Sequence, residues 1–173
     1  MIPPRPVHRR RACGLVLASL LGAAGSARAL APPAGPVVLE VRGRVRTPNV
    51  EAAACFDMAM LAGLPQVGFT TRTPWFAQPR HFSGPLLRDV LAAAGAQGTR
   101  LRLQALNDYR VDMPWDDAQR HDPIVARLLD GAPMAVRDKG PLFVIYPFDD
   151  RPELRSAVYY NRSAWQLRLI DVA

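Results

Sequence analysis

No apolar, periodic segment of this chain runs far before a proline, a glycine or an Asx pair interrupts it, and that punctuation limits the fold to short elements. Thr47-Pro48-Asn49, Leu64-Pro65, Pro74, Pro79, Asp122-Pro123, Asp130-Gly131 and Pro147 all fall between candidate elements, where fixed or left-handed backbone reverses a chain. Residues 37–45 alternate, with Leu39 and Val41 against Glu40 and Arg42, and predict a half-buried strand. Asp57 is a good N-cap for a short helix over residues 58–63. Residues 67–73 are β-branched and aromatic and read as a strand, and the prolines at 74 and 79 predict a loop after it. Ser83 or Gly84 is expected to cap a helix that has Pro85 at its first position and Leu86, Leu87, Val90 and Leu91 as its stripe. Residues 101–105 alternate and lead through Asn107-Asp108 into residues 109–113, the pattern of a hairpin. A broken helical region is expected over 116–129, a buried strand over 141–146, a last short helix over 153–160 and a final strand over 165–172. Strands separated by short helices, with hairpin-like turns, predict an α+β domain of mixed sheets and not a doubly wound parallel sheet. Its core is expected to gather Trp165, Leu167, Leu169, Phe143, Ile145, Leu87 and Leu91.

Residues 1–29 read as an export address. A basic start ends in Arg9-Arg10-Arg11, a short apolar stretch fills residues 12–25, and Ala27-Arg28-Ala29 matches a cleavage site. The apolar stretch is too short for an ordinary span, so the expected location is the periplasm, with no stable membrane span after cleavage. The arginine run suggests twin-arginine export but lacks the flanking Ser and Phe of that motif, and both routes stay open. Residues 30–36 form a proline-stiffened linker, and residues 37–173 are the expected folded domain.

Removing the leader also removes the charge. The whole chain carries 22 basic and 15 acidic side chains. Five of the arginines lie in the leader, which has no acid, so 17 basic and 15 acidic groups remain. A nucleic-acid binder usually concentrates basic charge along one face, whereas the excess here goes with the leader and leaves a formal +2, so no nucleic-acid partner is expected. Of the two cysteines, only Cys55 follows the leader, so no disulfide can form within the mature chain. Ala52-Ala53-Ala54 and Phe56 give it an apolar setting without cations, which suits a buried thiol better than a nucleophile.

Known reaction motifs are missing. His81 and His121 are the histidines left after the leader, forty residues apart, and a structural zinc needs about four ligands. No G-x-S-x-G elbow or Walker-type loop occurs. Asp116-Asp117 and Asp149-Asp150 resemble catalytic pairs, but adjacent residues on an element do not face each other. Both are expected to cap helices. No metal ligand and no catalytic residue is assigned.

An ordered set of short signatures carries more. Phe82-Ser83-Gly84-Pro85-Leu86-Leu87-Arg88-Asp89-Val90-Leu91 is followed by Ala105-Leu106-Asn107-Asp108-Tyr109, by Asp130-Gly131, by residues 140–147 (GPLFVIYP) and by Ser163-Ala164-Trp165-Gln166-Leu167. In this order they resemble the oxidoreductase molybdopterin-binding domain, the fold of the sulfite oxidase family, and most of all its small exported members. The resemblance runs from about Val37 to the C-terminus. It implies a domain that, in full members, holds molybdenum on a pterin dithiolene, with one cysteine thiolate as metal ligand in a loop upstream of the Gly-x-Pro-Leu helix. The matching loop here is Phe69-Thr70-Thr71-Arg72-Thr73-Pro74-Trp75 and has no cysteine. Threonine hydroxyls are hard and protonated where the family uses a soft thiolate.

The loops that the resemblance brings together contain Arg72, Thr73, Trp75, Asn107, Asp108, Tyr109 and Arg162, the candidate cofactor-binding residues. Arginine forks suit phosphate or another oxyanion. Each residue also has a plainer reading: Trp75 covering the core, Asn107-Asp108 turning a hairpin, Arg72 solvated on a strand. The expected function is an exported sulfite-oxidase-fold domain that binds a small anionic ligand, with molybdopterin as the candidate cofactor and without normal molybdenum catalysis. An active periplasmic molybdenum oxidoreductase and a non-catalytic sensor or partner-binding module are the alternatives, and the residues name no protein partner.

Overall fold

A computed structural model describes residues 30–173, so the expected leader lies outside the described residues. Strand β1 (Val37–Gly43) turns Leu39 and Val41 inward. The chain returns as β2 (Ala54–Asp57), a fully buried strand that the sequence pattern did not reveal, and runs directly into helix α1 (Met58–Gly63). Asp57 caps that helix as expected, with Oδ1 accepting from Met60 N at 2.8 Å. Its Oδ2 accepts from the backbone N–H of Ala34 and Gly35, which ties residues 30–36 to the domain. These donors hold the Asp57 carboxyl below its ordinary range.

Strand β3 (Gln66–Thr73) and strand β4 (Phe76–Pro85) form a long hairpin where a loop was expected after Thr73. Pro79 is accommodated because the β3–β4 register shifts between Thr71 and Thr73, so the irregular stretch needs no ladder N–H from it. Pro85 ends β4 instead of starting a helix. Helix α2 (Leu87–Ala93) begins after Leu86, with no side-chain cap, and Leu87 N donates to Pro123 O. Gly84 is needed for close crossing and not for capping: a Cβ there would meet Val125 O at 2.0 Å.

Strands β5 (Arg100–Ala105) and β6 (Arg110–Pro114) make the expected hairpin. Helix α3 (Trp115–Arg120) is shorter than the helical region expected over 116–129. Asp122-Pro123 stops it, and the apolar run beyond is a buried strand, β7 (Ile124–Ala126), followed by β8 (Leu128–Leu129) and β9 (Ala132–Pro133) about the Asp130-Gly131 turn. Strand β10 (Phe143–Ile145) is wholly buried against β7. The single last helix expected over 153–160 is instead a 3-10 turn at Pro152–Leu154 and helix α4 (Ala157–Arg162). Strand β11 (Leu167–Val172) closes the chain.

The strands assemble as a five-stranded sheet in the order β2-β1-β11-β5-β6, a four-stranded sheet in the order β3-β4-β8-β9, and the β10–β7 pair. The result is an α+β domain of mixed sheets with short helices. Leu87, Leu91, Phe143, Ile145 and Leu167 share one core, as expected, and Trp165 packs on it partly buried. Leu169 is buried but stands outside that core, level with Glu40 and Gln104 across its neighbouring strands. The open face of the large sheet carries a ladder in which Arg42, Asp171, Arg102 and Asp112 are register partners on four successive strands. Arg42 pairs with Asp171 at 3.5 Å and Arg102 with Asp112 at 2.8 Å, as suits a sheet with one wet face. Among the described residues no helix is long and apolar enough to cross a membrane.

Candidate functional site

The tips of two hairpins and the end of α4 meet over the core. Pro74 and Trp75 turn β3 into β4. At the β5–β6 tip Asp108 takes a left-handed backbone (φ 63°), which an Asx residue tolerates, and Asn107 Oδ1 accepts from Tyr109 N at 3.1 Å. Tyr109 Oη donates to Asn161 O at 3.0 Å and bridges that tip to α4. Together Trp75, Asn107, Tyr109, Tyr160, Asn161 and Trp165 wall a cleft of about 230 Å³, with Ser163 and Ala164 also lining it. Trp75 is fixed by edge-to-face contacts with Phe143, Trp165 and Tyr160, at centroid distances of 5.4, 5.5 and 6.0 Å. Lys139, the only lysine of the chain, holds its Nζ 4.2 Å over the Trp165 ring.

Just along β3 the chain is closed. Thr71 is buried, and its Oγ1 accepts from Asp149 N at 3.0 Å. Asp149 in turn accepts from Arg72 N at 3.1 Å and from Arg155 Nη2 at 2.6 Å, and Arg155 Nε donates to Phe148 O. The Arg72 guanidinium lies 3.6 Å from Asp149 and is 75% exposed. Thr73 Oγ1 accepts from Trp75 N at 3.4 Å, a local turn contact.

Arg162 and Asp108 are engaged elsewhere. Arg162 pairs at 2.8 Å with Asp117, which is buried and also accepts from Tyr146 Oη at 3.0 Å. Burial and the Asp117 carboxylate push the Tyr146 phenol far up, so it stays a neutral donor. Asp108 Oδ1 accepts from Gln104 Nε2 and pairs with Arg168. Of the seven candidate residues, Trp75, Asn107 and Tyr109 therefore line one cleft, while Arg72, Thr73, Asp108 and Arg162 make contacts within the fold. Sequence reasoning missed Tyr160, Asn161 and Trp165 as cleft walls. The Ser163-Ala164-Trp165 signature pointed to the last of these, but the helix ending beside it gave no signal of its own.

Neither acidic pair caps a helix. Asp116 and Asp117 lie inside the first turn of α3, whose cap, Pro114, makes no side-chain bond. Asp116 pairs with Arg120 one turn on, Asp117 is buried under Arg162, and Asp149 holds Arg72 and Arg155. Local spacing could not show the Arg162 and Arg72 partners, because they lie 45 and 77 residues away.

The residues do not fit molybdenum held by a thiolate. Cys55 is buried on β2, and burial with nearby Glu40 and Glu51 raises its thiol. The Thr71 hydroxyl is already bonded, and Arg72 and Arg162 face carboxylates of the fold. Among the described residues no group of three or more His, Cys, Asp or Glu could hold a metal ion. The cleft is also below the roughly 300–1,000 Å³ typical of sites for drug-sized ligands.

No family model matches this chain, and no curated protein matches it. Among solved structures it is similar to the sulfane dehydrogenase SoxCD of Paracoccus pantotrophus, with a TM-score of 0.56 and 16% sequence identity over 78% of this chain. The match spans 37% of the SoxCD chain. At that identity the likeness is one of fold, and it supports the sulfite-oxidase-like architecture described above.

Proposed function

We propose that this chain is an exported domain of sulfite-oxidase fold that holds a small anionic ligand with a flat face in its aromatic cleft, and that it performs no normal molybdenum catalysis. One observation carries the reading. The loop 69–75, where the resemblance implies a metal-binding thiolate, has no cysteine, and its Thr71 is buried and bonded to Asp149, while the cleft at Trp75 keeps its aromatic walls and the amide nitrogens of Asn107 and Asn161 free of partners among the described residues. Indole and phenol faces favour a flat ring, and the amides favour its polar edge. Lys139, which has no carboxylate partner among the described residues, favours a negative charge near Trp165. Export rests on the leader read in residues 1–29.

The test is chemical. Protein isolated from the envelope of its native host is denatured and the released small molecules are identified by mass spectrometry. A flat anionic compound is expected, and Trp75→Ala and Asn107→Ala should release much less of it while remaining folded. Release of no such compound, with tryptophan emission unmoved by aromatic carboxylates and phosphates, would overturn the reading.

A further inference from the structure

The open face of the five-stranded sheet has a charge pattern that its own pairing does not use up. Two rows cross it. The first runs Glu40, Leu169, Gln104, Arg110 over β1, β11, β5 and β6, and the second runs Arg42, Asp171, Arg102, Asp112 over the same strands. The four charged side chains of the second row are each between 45% and 55% exposed. Within one copy that row satisfies itself. The corners of the first row do not: Arg110 has no carboxylate partner among the described residues, and Glu40 has only Arg42 at 3.8 Å.

We propose that this face joins two copies of the chain about a two-fold axis lying in the interface along the line between β11 and β5. Such an axis sets β11 over the partner's β5 and β1 over the partner's β6. The charges of these two rows then meet their opposites: Glu40 faces the partner's Arg110, Arg42 faces the partner's Asp112, and Asp171 faces the partner's Arg102. A two-fold interface must be complementary to itself, and a face whose signs reverse across its own midline meets that condition. The middle of the first row is the uncharged pair Leu169 and Gln104, both largely buried, so little solvation is lost there on contact. Mixed charge alone would suit any wet sheet face. The opposite charges at the two corners, Arg110 without a carboxylate partner among the described residues and Glu40 with only a 3.8 Å contact to Arg42, are what point to a second copy.

Sedimentation equilibrium tests this with the wild type, Glu40→Arg, Arg110→Glu and the double reversal. In one copy Glu40 and Arg110 are three strand spacings apart, about 14 Å, too far to bond, so recovery in the double variant reports pairing between copies. The wild type should associate reversibly and less so as salt is added. Each single reversal should weaken association about tenfold, and the double should return to within about threefold of the wild type. Circular-dichroism melts show whether each variant is folded. A wild type that stays monomeric at its highest soluble concentration, single reversals without effect, or a double variant no better than the singles would each overturn the proposal.

Discussion

Thr71 and Trp75 stand four residues apart on one hairpin and use their surroundings in opposite ways. Around Thr71 the polar groups are consumed internally: its hydroxyl, the Asp149 carboxylate, the Arg72 N–H and the Arg155 guanidinium bond to one another. Around Trp75 the rings interlock edge to face while amide groups at the rim remain open. On the proposed function, this site is without a metal-ligating group at one position and keeps a binding cleft at the other. A hydroxyl in place of a soft ligand is readily satisfied by the protein's own backbone, and the bonded junction then becomes a structural clasp. The aromatic wall depends on packing, not on that ligand, and persists beside it.

The largest effect should come from removing what lies beneath both regions. Phe143 is fully buried and backs Trp75 and Trp165. Phe143→Ala should lower stability by about 3–5 kcal/mol in urea unfolding, and a loss under about 1 kcal/mol would mean that the cleft is not built on the core. A sharper contrast removes one hydroxyl from each region. Thr71→Val leaves the Asp149 N–H without its acceptor and should cost about 1–3 kcal/mol. Tyr109→Phe removes a bond at a residue that is 44% exposed, where water replaces the partner, and should cost under about 0.5 kcal/mol. Equal losses would erase the distinction between clasp and open cleft. The smallest effect near neutral pH belongs to three carboxylates outside both regions. Donors hold Asp57, Asp112 and Asp130 below the ordinary range: chiefly Met60 N–H for Asp57, the Arg102 side chain for Asp112 and His81 N–H for Asp130. Their folded values are depressed, so their stabilisation is present above the unfolded value near about 3.9 and is lost as pH falls through the lower folded values. Tm should therefore be nearly flat from neutral pH down to that range and then fall. A Tm that rises on acidification would contradict it.

Local chemistry explains which parts of this fold were legible. The Asp57 cap, the Asn107-Asp108 hairpin and the Asp130-Gly131 turn are set by neighbours in sequence, and each forms where the residues indicated. Strand β4 was hidden by Pro79, because only pairing with β3 reveals a register shift that tolerates a proline. Strand β7 was hidden because a three-residue apolar run after Asp122-Pro123 cannot be told from helix without its partner β10. The same limit governs the site. Trp75, Asn107 and Tyr109 sit on turns whose meeting the ordered signatures implied. Arg72 and Arg162 looked like anion ligands because their carboxylate partners, Asp149 and Asp117, lie 77 and 45 residues away.

The proposed function rests on a clasp at Thr71, in the loop where the resemblance implies a metal ligand, and on a binding cleft at Trp75. Its most direct test is the molybdenum content of protein produced in cells that supply molybdopterin, measured per chain by elemental analysis alongside turnover of sulfite and a sulfoxide. Far less than one molybdenum per chain and no turnover of either substrate are expected. Near-stoichiometric molybdenum with turnover would contradict the proposed function and make the chain a working oxidoreductase.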